Sequence, residues 1–302
     1  MGLRSPIDTI GGPDAAPASP ASGRRPLDPP CALACASHEP VREWLFAGQH
    51  DGPAAARAAW ELIVAANPLP ACMGRICYAN CEQACVLTAH GGPVAIRELE
   101  GRLGDLAIEQ GWELPRPAAS LGTRVVVVGS GPCGISAAHQ LARAGHDVTL
   151  VEAQARLGGM LRRGISEQRL PKAVLDAELD RLLALGVRVR THAAIRRIED
   201  VLDRADGVIW AAGASTCMAI VRGRTLWRQP IHTDARSRRT ATLSIGRGAR
   251  AAAALTAHLT GAEPPPAPPL PAFPAGGPAP VPPQVTAARR CILCGSRGTL
   301  RP

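Results

Sequence analysis

Arg124-Val125-Val126-Val127-Val128-Gly129-Ser130-Gly131-Pro132-Cys133-Gly134 is a β-branched run that ends in a glycine-rich turn. Residues 135–144 continue it as a helix stopped by Gly145, and residues 147–151 follow as a second apolar strand ending at Glu152. Strand, turn, helix and strand within about 30 residues form the unit of a doubly wound α/β sheet. In that context the glycines have separate tasks. Gly129 allows the tight turn after the strand, Gly131 lets the backbone approach a pyrophosphate, and Gly134 permits close packing of helix on strand. The helix start offers free N–H groups and a positive dipole end to phosphates. Glu152 is placed to hydrogen-bond ribose hydroxyls. A strand–turn–helix with no ligand is the bland alternative, and the agreement of these features weighs against it. The fingerprint alone does not separate FAD from NAD.

Downstream, residues 172–185 read as an amphipathic helix closed by Gly186, residues 187–190 as a strand and residues 207–211 as a further buried strand. Residues 215–243 are rich in arginine and show little apolar periodicity. Residues 247–260 read as an alanine-rich helix, and 263–286 as a proline-rich linker, extended at ~3.1 Å per residue. A cap containing Cys291-Ile292-Leu293-Cys294 follows. Upstream, residues 54–66 and 96–110 are helix candidates, the second weakened by Gly101 and Gly104. Pro115, Pro117 and Gly122 mark a boundary. The expected organisation is a disordered arm (1–30), a helical cysteine-bearing domain (31–117), an α/β domain (122–261), a linker (262–288) and a CxxC tail (289–302).

Composition narrows the function classes. Hydrophobic residues are 46% of 302 but aromatics only 3%, so the core must be built from Ala, Val, Leu and Ile. The net charge is +9, yet Lys172 is the one lysine among 34 basic residues, a bias that GC-rich coding produces throughout a chain. A nucleic-acid surface would interleave basic with stacking aromatic residues, and those are missing. The longest uncharged run near the middle, 125–142, is broken by glycines, Pro132 and His139, so no membrane span is expected. Residues 1–30 contain Asp8 and Asp14 and no apolar leader. That favours the cytoplasm, where clustered thiols point to metal or redox chemistry rather than disulfides.

Six cysteines lie between Cys31 and Cys85. Their spacing, Cys31-x3-Cys35 and Cys72-x4-Cys77-x3-Cys81-x3-Cys85, fits poorly with the tight pairs usual for zinc. It favours an iron–sulfur site, held by soft thiolates.

Several motifs in order resemble one family. Leu157-Gly158-Gly159-Met160-Leu161, Gly164-Ile165 and Arg169-Leu170-Pro171, then Asp206-Gly207-Val208-Ile209-Trp210-Ala211-Ala212-Gly213, are similar to the small (beta) subunit of glutamate synthase. They also resemble the FAD/iron–sulfur module of dihydropyrimidine dehydrogenase. Asn67-Pro68-Leu69-Pro70, Gly74-Arg75-Ile76-Cys77, Cys81-Glu82-Gln83-Ala84-Cys85 and Pro93-Val94-Ala95-Ile96 resemble that family's iron–sulfur domain. The resemblance covers roughly residues 31–214, with a trace near 245–261. It implies an α/β chain in which a helical iron–sulfur domain precedes a Rossmann-like FAD domain of the glutathione-reductase type. FAD would meet Gly129, Gly131, Pro132, Cys133, Gly134, Glu152, Gly159, Met160, Arg169, Ala212 and Gly213.

The family holds two [4Fe-4S] clusters. By resemblance, Cys35, Cys77 and Cys81 would hold one, with Glu100 at its non-cysteine position, and Cys31 and Cys85 match ligands of the other. The family takes that cluster's remaining ligands from cysteines just before Cys31, where this sequence has none. Either the second cluster is lost, leaving one, or Cys291 and Cys294 supply the pair; Cys72 is an extra thiol that could substitute. Cys133 and Cys217 are expected to pack as small apolar residues.

The family also inserts an NADPH-binding domain after the position of Ala214. Here about 30 residues separate Ala214 from Ser244, too few for a second βαβαβ unit. The Gly-Asp that precedes the family's final helix is absent too. The sequence therefore predicts a truncated FAD- and [4Fe-4S]-dependent electron-transfer subunit that works with a protein redox partner or a larger catalytic subunit. The competing prediction is a cofactor-poor interaction protein descended from the same family.

Overall fold

The computed structural model describes residues 28–50, 52–213, 217–228, 240–264 and 291. The expected arm up to residue 27, most of the linker, and Cys294 lie outside the described residues.

Helices come first: α1 (Pro30–Ala34), α2 (Val41–Ala47), α3 (Pro53–Ala66), α4 (Pro70–Ile76), α5 (Asn80–Gln83) and α6 (Ile96–Glu109). Proline opens α1, α3 and α4, where its missing N–H has no intrahelical partner to lose. α4 and α6 cross backbone to backbone. A Cβ on Gly74 would lie 2.2 Å from Gly101 Cα, and one on Gly104 would lie 2.2 Å from Ala71 N. Gly101 and Gly104 therefore do not mark a weak helix. They lower its local propensity and admit α4 at a distance no side chain allows.

The sheet follows as β1 (Arg124–Val128), α7 (Pro132–Ala144), β2 (Asp147–Val151), α8 (Gly159–Arg163), α9 (Lys172–Ala184), β3 (Arg188–Arg190), α10 (Glu199–Leu202) and β4 (Gly207–Trp210). The hairpin β5 (Met218–Val221) and β6 (Arg224–Arg228) and the long α11 (Ala241–Thr260) complete it. Strand order is β3-β2-β1-β4-β5-β6. β1 pairs in parallel with β2 and β4, and β2 with β3; β4–β5 and β5–β6 are antiparallel. From β1 the chain builds outward through β2 and β3 on one side and then crosses to β4 on the other, a switch of side that opens a crevice at the carboxyl ends of these parallel strands.

The hairpin corrects the expectation that 215–243 carries no regular pattern. Met218-Ala219-Ile220-Val221 is an apolar strand, buried at Ala219, Ile220 and Val221. Arg222 (φ 46°) and Gly223 (φ 77°) form a two-residue turn with both residues left-handed, the hairpin geometry that suits strand twist. The arginines of β6 lie along the sheet edge, where charge discourages further pairing. α11 also starts earlier than the expected residue 247, because the Thr240 hydroxyl accepts the Leu243 amide at 3.0 Å and caps it.

The core is aliphatic, with Val127, Ile135, Leu141, Leu150, Leu175, Ile209 and Leu255 fully buried. α11 packs along α7 at Gly248, whose Cβ would fall 2.1 Å from Cys133 O. Helical and sheet regions are joined by Glu178 of α9. Its buried carboxylate accepts the Ala71 amide at 2.8 Å and the Cys72 amide at 3.0 Å, satisfying open N–H groups of α4. Arg181 lies 3.3 Å from the same carboxylate and 5.4 Å from the Trp60 ring. Among the described residues no helix is long and apolar enough to cross a membrane.

Candidate functional site

The fingerprint loop is shaped as its glycines require. Gly129 has φ 98°, and a Cβ there would lie 2.6 Å from Ala211 O on the neighbouring strand. A Cβ on Gly134 would lie 1.7 Å from Gly129 O, so only glycine lets α7 start this close to β1. A Cβ on Gly131 would meet nothing within 4 Å, so its face opens on free space. Pro132 and Cys133 begin α7 behind that space. Gly159 closes the other side, where a Cβ would lie 2.8 Å from Gly131 Cα.

Glu152 is fixed from three directions: Ser130 N donates at 3.0 Å, Ser130 Oγ at 2.5 Å and Gln154 N at 2.8 Å. Burial alone would raise its pKa, but these bonds and the charge of Arg163 hold it below the ordinary carboxylate value. The acid stays ionised, an acceptor for hydroxyl donors. Ala212 and Gly213 follow β4, exposed. Met160, 61% exposed, lies in the first turn of α8. Arg169 is exposed and donates to Ile76 O at 3.4 Å, at the seam with α4. The free face of Gly131, the helix start and the fixed acid fit a dinucleotide's phosphates and ribose.

Cys133 and Cys217 do more than fill apolar space. Their sulfurs are 2.8 Å apart across 84 residues of sequence. The contact with Cys217 and burial push the Cys133 thiol up.

The other thiols gather in two hollows. Cys35, Cys77 and Cys81 line one, with Thr240 and Thr242 on its rim. Cys31, Cys85 and Cys291 line the other, walled by Leu45, Val94 and Ile96. Cys72 joins neither; it is fully buried in α4 beside Glu178 within the sheet-side core. Among the described residues no three Cys, His, Asp or Glu side chains converge as they would around one ion. Thiolates are the soft donors that iron–sulfur clusters take, so three cysteines lining one hollow fit such a group.

The first hollow carries the hydrogen bonds such a group uses. Thr242 Oγ1 donates to Cys77 Sγ at 3.3 Å and Ala79 N to the same sulfur at 3.4 Å. Ser37 Oγ is 3.1 Å from Cys35 Sγ and donates to Glu39 at 2.9 Å. Burial pushes the thiols of Cys35, Cys77 and Cys81 up, and Cys35 and Cys77 add to the rise at Cys81. Such thiols stay protonated until a cation's charge draws the proton off. Glu100 is buried near them, its pKa raised by burial, then by Glu39 and Cys77. Asn67 joins the two acids, donating to Glu100 at 2.8 Å and Glu39 at 3.1 Å.

The motifs did not reveal Asn67, Glu39, Ser37 or Thr242 as partners of this hollow. Asn67 reads as a helix stop because Pro68 follows it. Ser37 and Glu39 stand two and four places after Cys35, a signal too common to select on, and Thr242 stands near no cysteine in the sequence.

Comparison with known proteins agrees with this geometry. Residues 25–112 match the model for the dihydropyrimidine dehydrogenase domain II 4Fe-4S cluster family, and residues 127–184 match a Rossmann-like NAD(P)-binding domain. The protein thus joins an iron–sulfur-type helical domain to a Rossmann-like dinucleotide fold. The glutamate synthase [NADPH] small chain of Mycobacterium tuberculosis is 41% identical over 175 residues, 56% of this chain and 36% of its own. That of Bacillus subtilis is 35% identical over 162 residues, 52% of this chain and 33% of its own. The glutamate synthase [NADH] of Schizosaccharomyces pombe is 40% identical over 155 residues, 49% of this chain and 7% of its own. Over those stretches the chain is similar to glutamate synthase small chains, and it spans about a third of their length.

Proposed function

We propose that this chain is an electron-transfer subunit that binds FAD in the β1–α7 crevice and a [4Fe-4S] cluster in the hollow of Cys35, Cys77 and Cys81. The carrying observation is that hollow: two buried thiols, Cys35 and Cys81, and the partly buried Cys77 line one space, with Glu100 close by. Those three residues and Glu100 would hold the cluster. FAD exchanges electrons in pairs and an iron–sulfur cluster one at a time, so together they convert between the two.

The residues have distinct tasks. The α7 N–H groups and the open face of Gly131 receive the pyrophosphate, and Glu152 orients the ribose. Gly159, Met160, Ala212 and Gly213 border the crevice, and Arg169 ties the seam between it and α4. Thr242 and Ala79 fix the Cys77 sulfur by hydrogen bonds, and Ala34, Ala36 and Tyr78 limit water at the hollow. Electrons come from, or pass to, a protein partner in the cytoplasm, since residues 214–244 hold too little chain for a nicotinamide domain.

The test is anaerobic purification with iron, sulfide and flavin analysis on one sample. Flavin bands with a broad iron–sulfur shoulder near ~400 nm, lost in Cys77→Ser, are expected. Colourless protein after anaerobic reconstitution with iron, sulfide and FAD would overturn the proposal and leave an interaction module.

A further inference from the structure

Cys133 and Cys217 belong to neither thiol hollow. Their sulfurs lie 2.8 Å apart, with Cys133 donating, which is within ~0.8 Å of the length of a disulfide. Cys133 is the second residue of α7, after Pro132, and stays partly exposed. Cys217 directly precedes β5 and is 3% exposed. Its Sγ is also anchored from the other side, 3.8 Å from the Arg247 carbonyl oxygen. Arg247, on α11, is 8% exposed, and its Nε has no partner among the described residues. Its guanidinium is close enough to both sulfurs to interact with their charged forms. Against the rise that the Cys217 contact and burial impose on the Cys133 thiol, the Arg247 charge acts to lower it. The open N–H groups at the start of α7 act in the same direction.

From this arrangement we infer that Cys133 and Cys217 are a redox-active pair that exchanges with low-molecular-weight disulfides, Cys133 attacking and Cys217 resolving. Exposure assigns the roles: a small disulfide can reach Cys133, whereas Cys217 is enclosed and meets only its partner sulfur. In the first step the Cys133 thiolate attacks one sulfur of R–S–S–R. That S–S bond breaks, a mixed disulfide forms on Cys133, and R–S⁻ leaves. In the second step the Cys217 thiolate attacks the Cys133 sulfur, the mixed disulfide breaks, and the second R–S⁻ leaves. The chain gives up two electrons and two protons, and R–S–S–R becomes two R–SH. The new bond joins the first turn of α7 to the start of β5, so it braces the fingerprint loop against the sheet. The pair needs neither flavin nor iron, so the inference goes beyond the proposed function and fails separately from it.

The experiment places the full-length chain in glutathione buffers of rising disulfide content, quenches with acid, caps free thiols with N-ethylmaleimide and maps the peptides by mass. Wild type is expected to pass from two thiols to a Cys133–Cys217 disulfide, with no glutathione kept on either residue. Cys217→Ala should lose that bond and keep glutathione on Cys133, because nothing resolves it. Cys133→Ala should leave Cys217 a free thiol. Far-UV circular dichroism matching wild type shows that the variants fold. Wild type quenched at short times tests the roles with no substitution: the transient mixed disulfide should appear on Cys133. Wild type that keeps both thiols in oxidised glutathione alone would overturn the inference. So would glutathione retained on both residues, or a mixed disulfide forming first on Cys217.

Discussion

Replacing Gly104 by alanine sets a methyl group 2.2 Å from Ala71 N, 2.7 Å from its Cα and 2.9 Å from its Cβ. Ordinary contact lies near 3.5–4.0 Å, so α4 and α6 must separate by roughly 1 Å along their crossing. The facing atoms are mostly backbone, which cannot rotate aside. Overpacking a core commonly costs ~1–3 kcal/mol and occasionally more, and so tight a backbone contact belongs at or above the top of that range. Alanine returns about 1 kcal/mol of helix propensity. The net expectation is a loss of ~2 kcal/mol, about 30-fold in the folding equilibrium. Urea unfolding followed by tryptophan fluorescence suits the assay, since Trp60 and Trp112 pack with Ala107 of the same helix. Glu109→Ala, at the exposed end of α6, serves as control and should stay within ~0.5 kcal/mol of wild type. The crossing also sets Cys77, which follows α4, against Glu100 on α6, so Gly104→Ala should retain less iron after reconstitution. A variant as stable as wild type or more so, with full iron, would refute the reasoning and return Gly104 to being merely a poor helix former.

Three further outcomes are expected. His139 is fully buried, neither ring nitrogen has a partner among the described residues, and burial lowers its pKa to about 3. Its neutral form is the one folded, so its contribution is fully present above ~6.5 and declines as pH falls from there toward 3. The urea midpoint should fall over that window, and more shallowly in His139→Leu; parallel curves would count against it. Glu152 has the same sign at lower pH: its lowered pKa gives stability present above about 4.5 and lost as pH falls through the folded value. Glu152→Gln should release flavin on gel filtration about tenfold more readily, the effect of ~1.4 kcal/mol on one charged hydrogen bond; unchanged retention would remove Glu152 from the ribose site. Mild oxidation with diamide should consume the Cys133 and Cys217 thiols together, and peptide mapping should find them joined; Cys133→Ala should leave Cys217 reduced. Independent modification would show that the 2.8 Å approach does not persist in solution.

What was legible in the sequence was local. Residues 124–152 follow a strand–turn–helix–strand pattern that needs no partner to be recognised, and β2 spans 147–151 as expected. The helices α3 and α9 carry their own apolar stripe and stop signals, and their ends shift by at most a residue. What stayed hidden depended on distant contacts. Gly101 and Gly104 look like flaws until α4 lies on them. The β5–β6 hairpin was obscured by counting arginines, although Val221-Arg222-Gly223-Arg224 carries a two-residue turn between strands. The first thiol hollow was anticipated through a family likeness, but its support by Asn67 and Thr242 was not. The approach of Cys291 to Cys31 and Cys85 was one of two alternatives that the family likeness left open, and no local window of sequence decides between them.

That approach also sets a schedule for biosynthesis. Gln49 and Cys291, which touch, are 242 residues apart. At ~5–20 residues per second a ribosome takes roughly 10–50 s to cover that distance. During that interval Cys35, Cys77, Cys81 and Glu100 are all already made, so the first hollow can be filled while the chain grows. Cys31 and Cys85, by contrast, meet Cys291 only after that distant residue has been made.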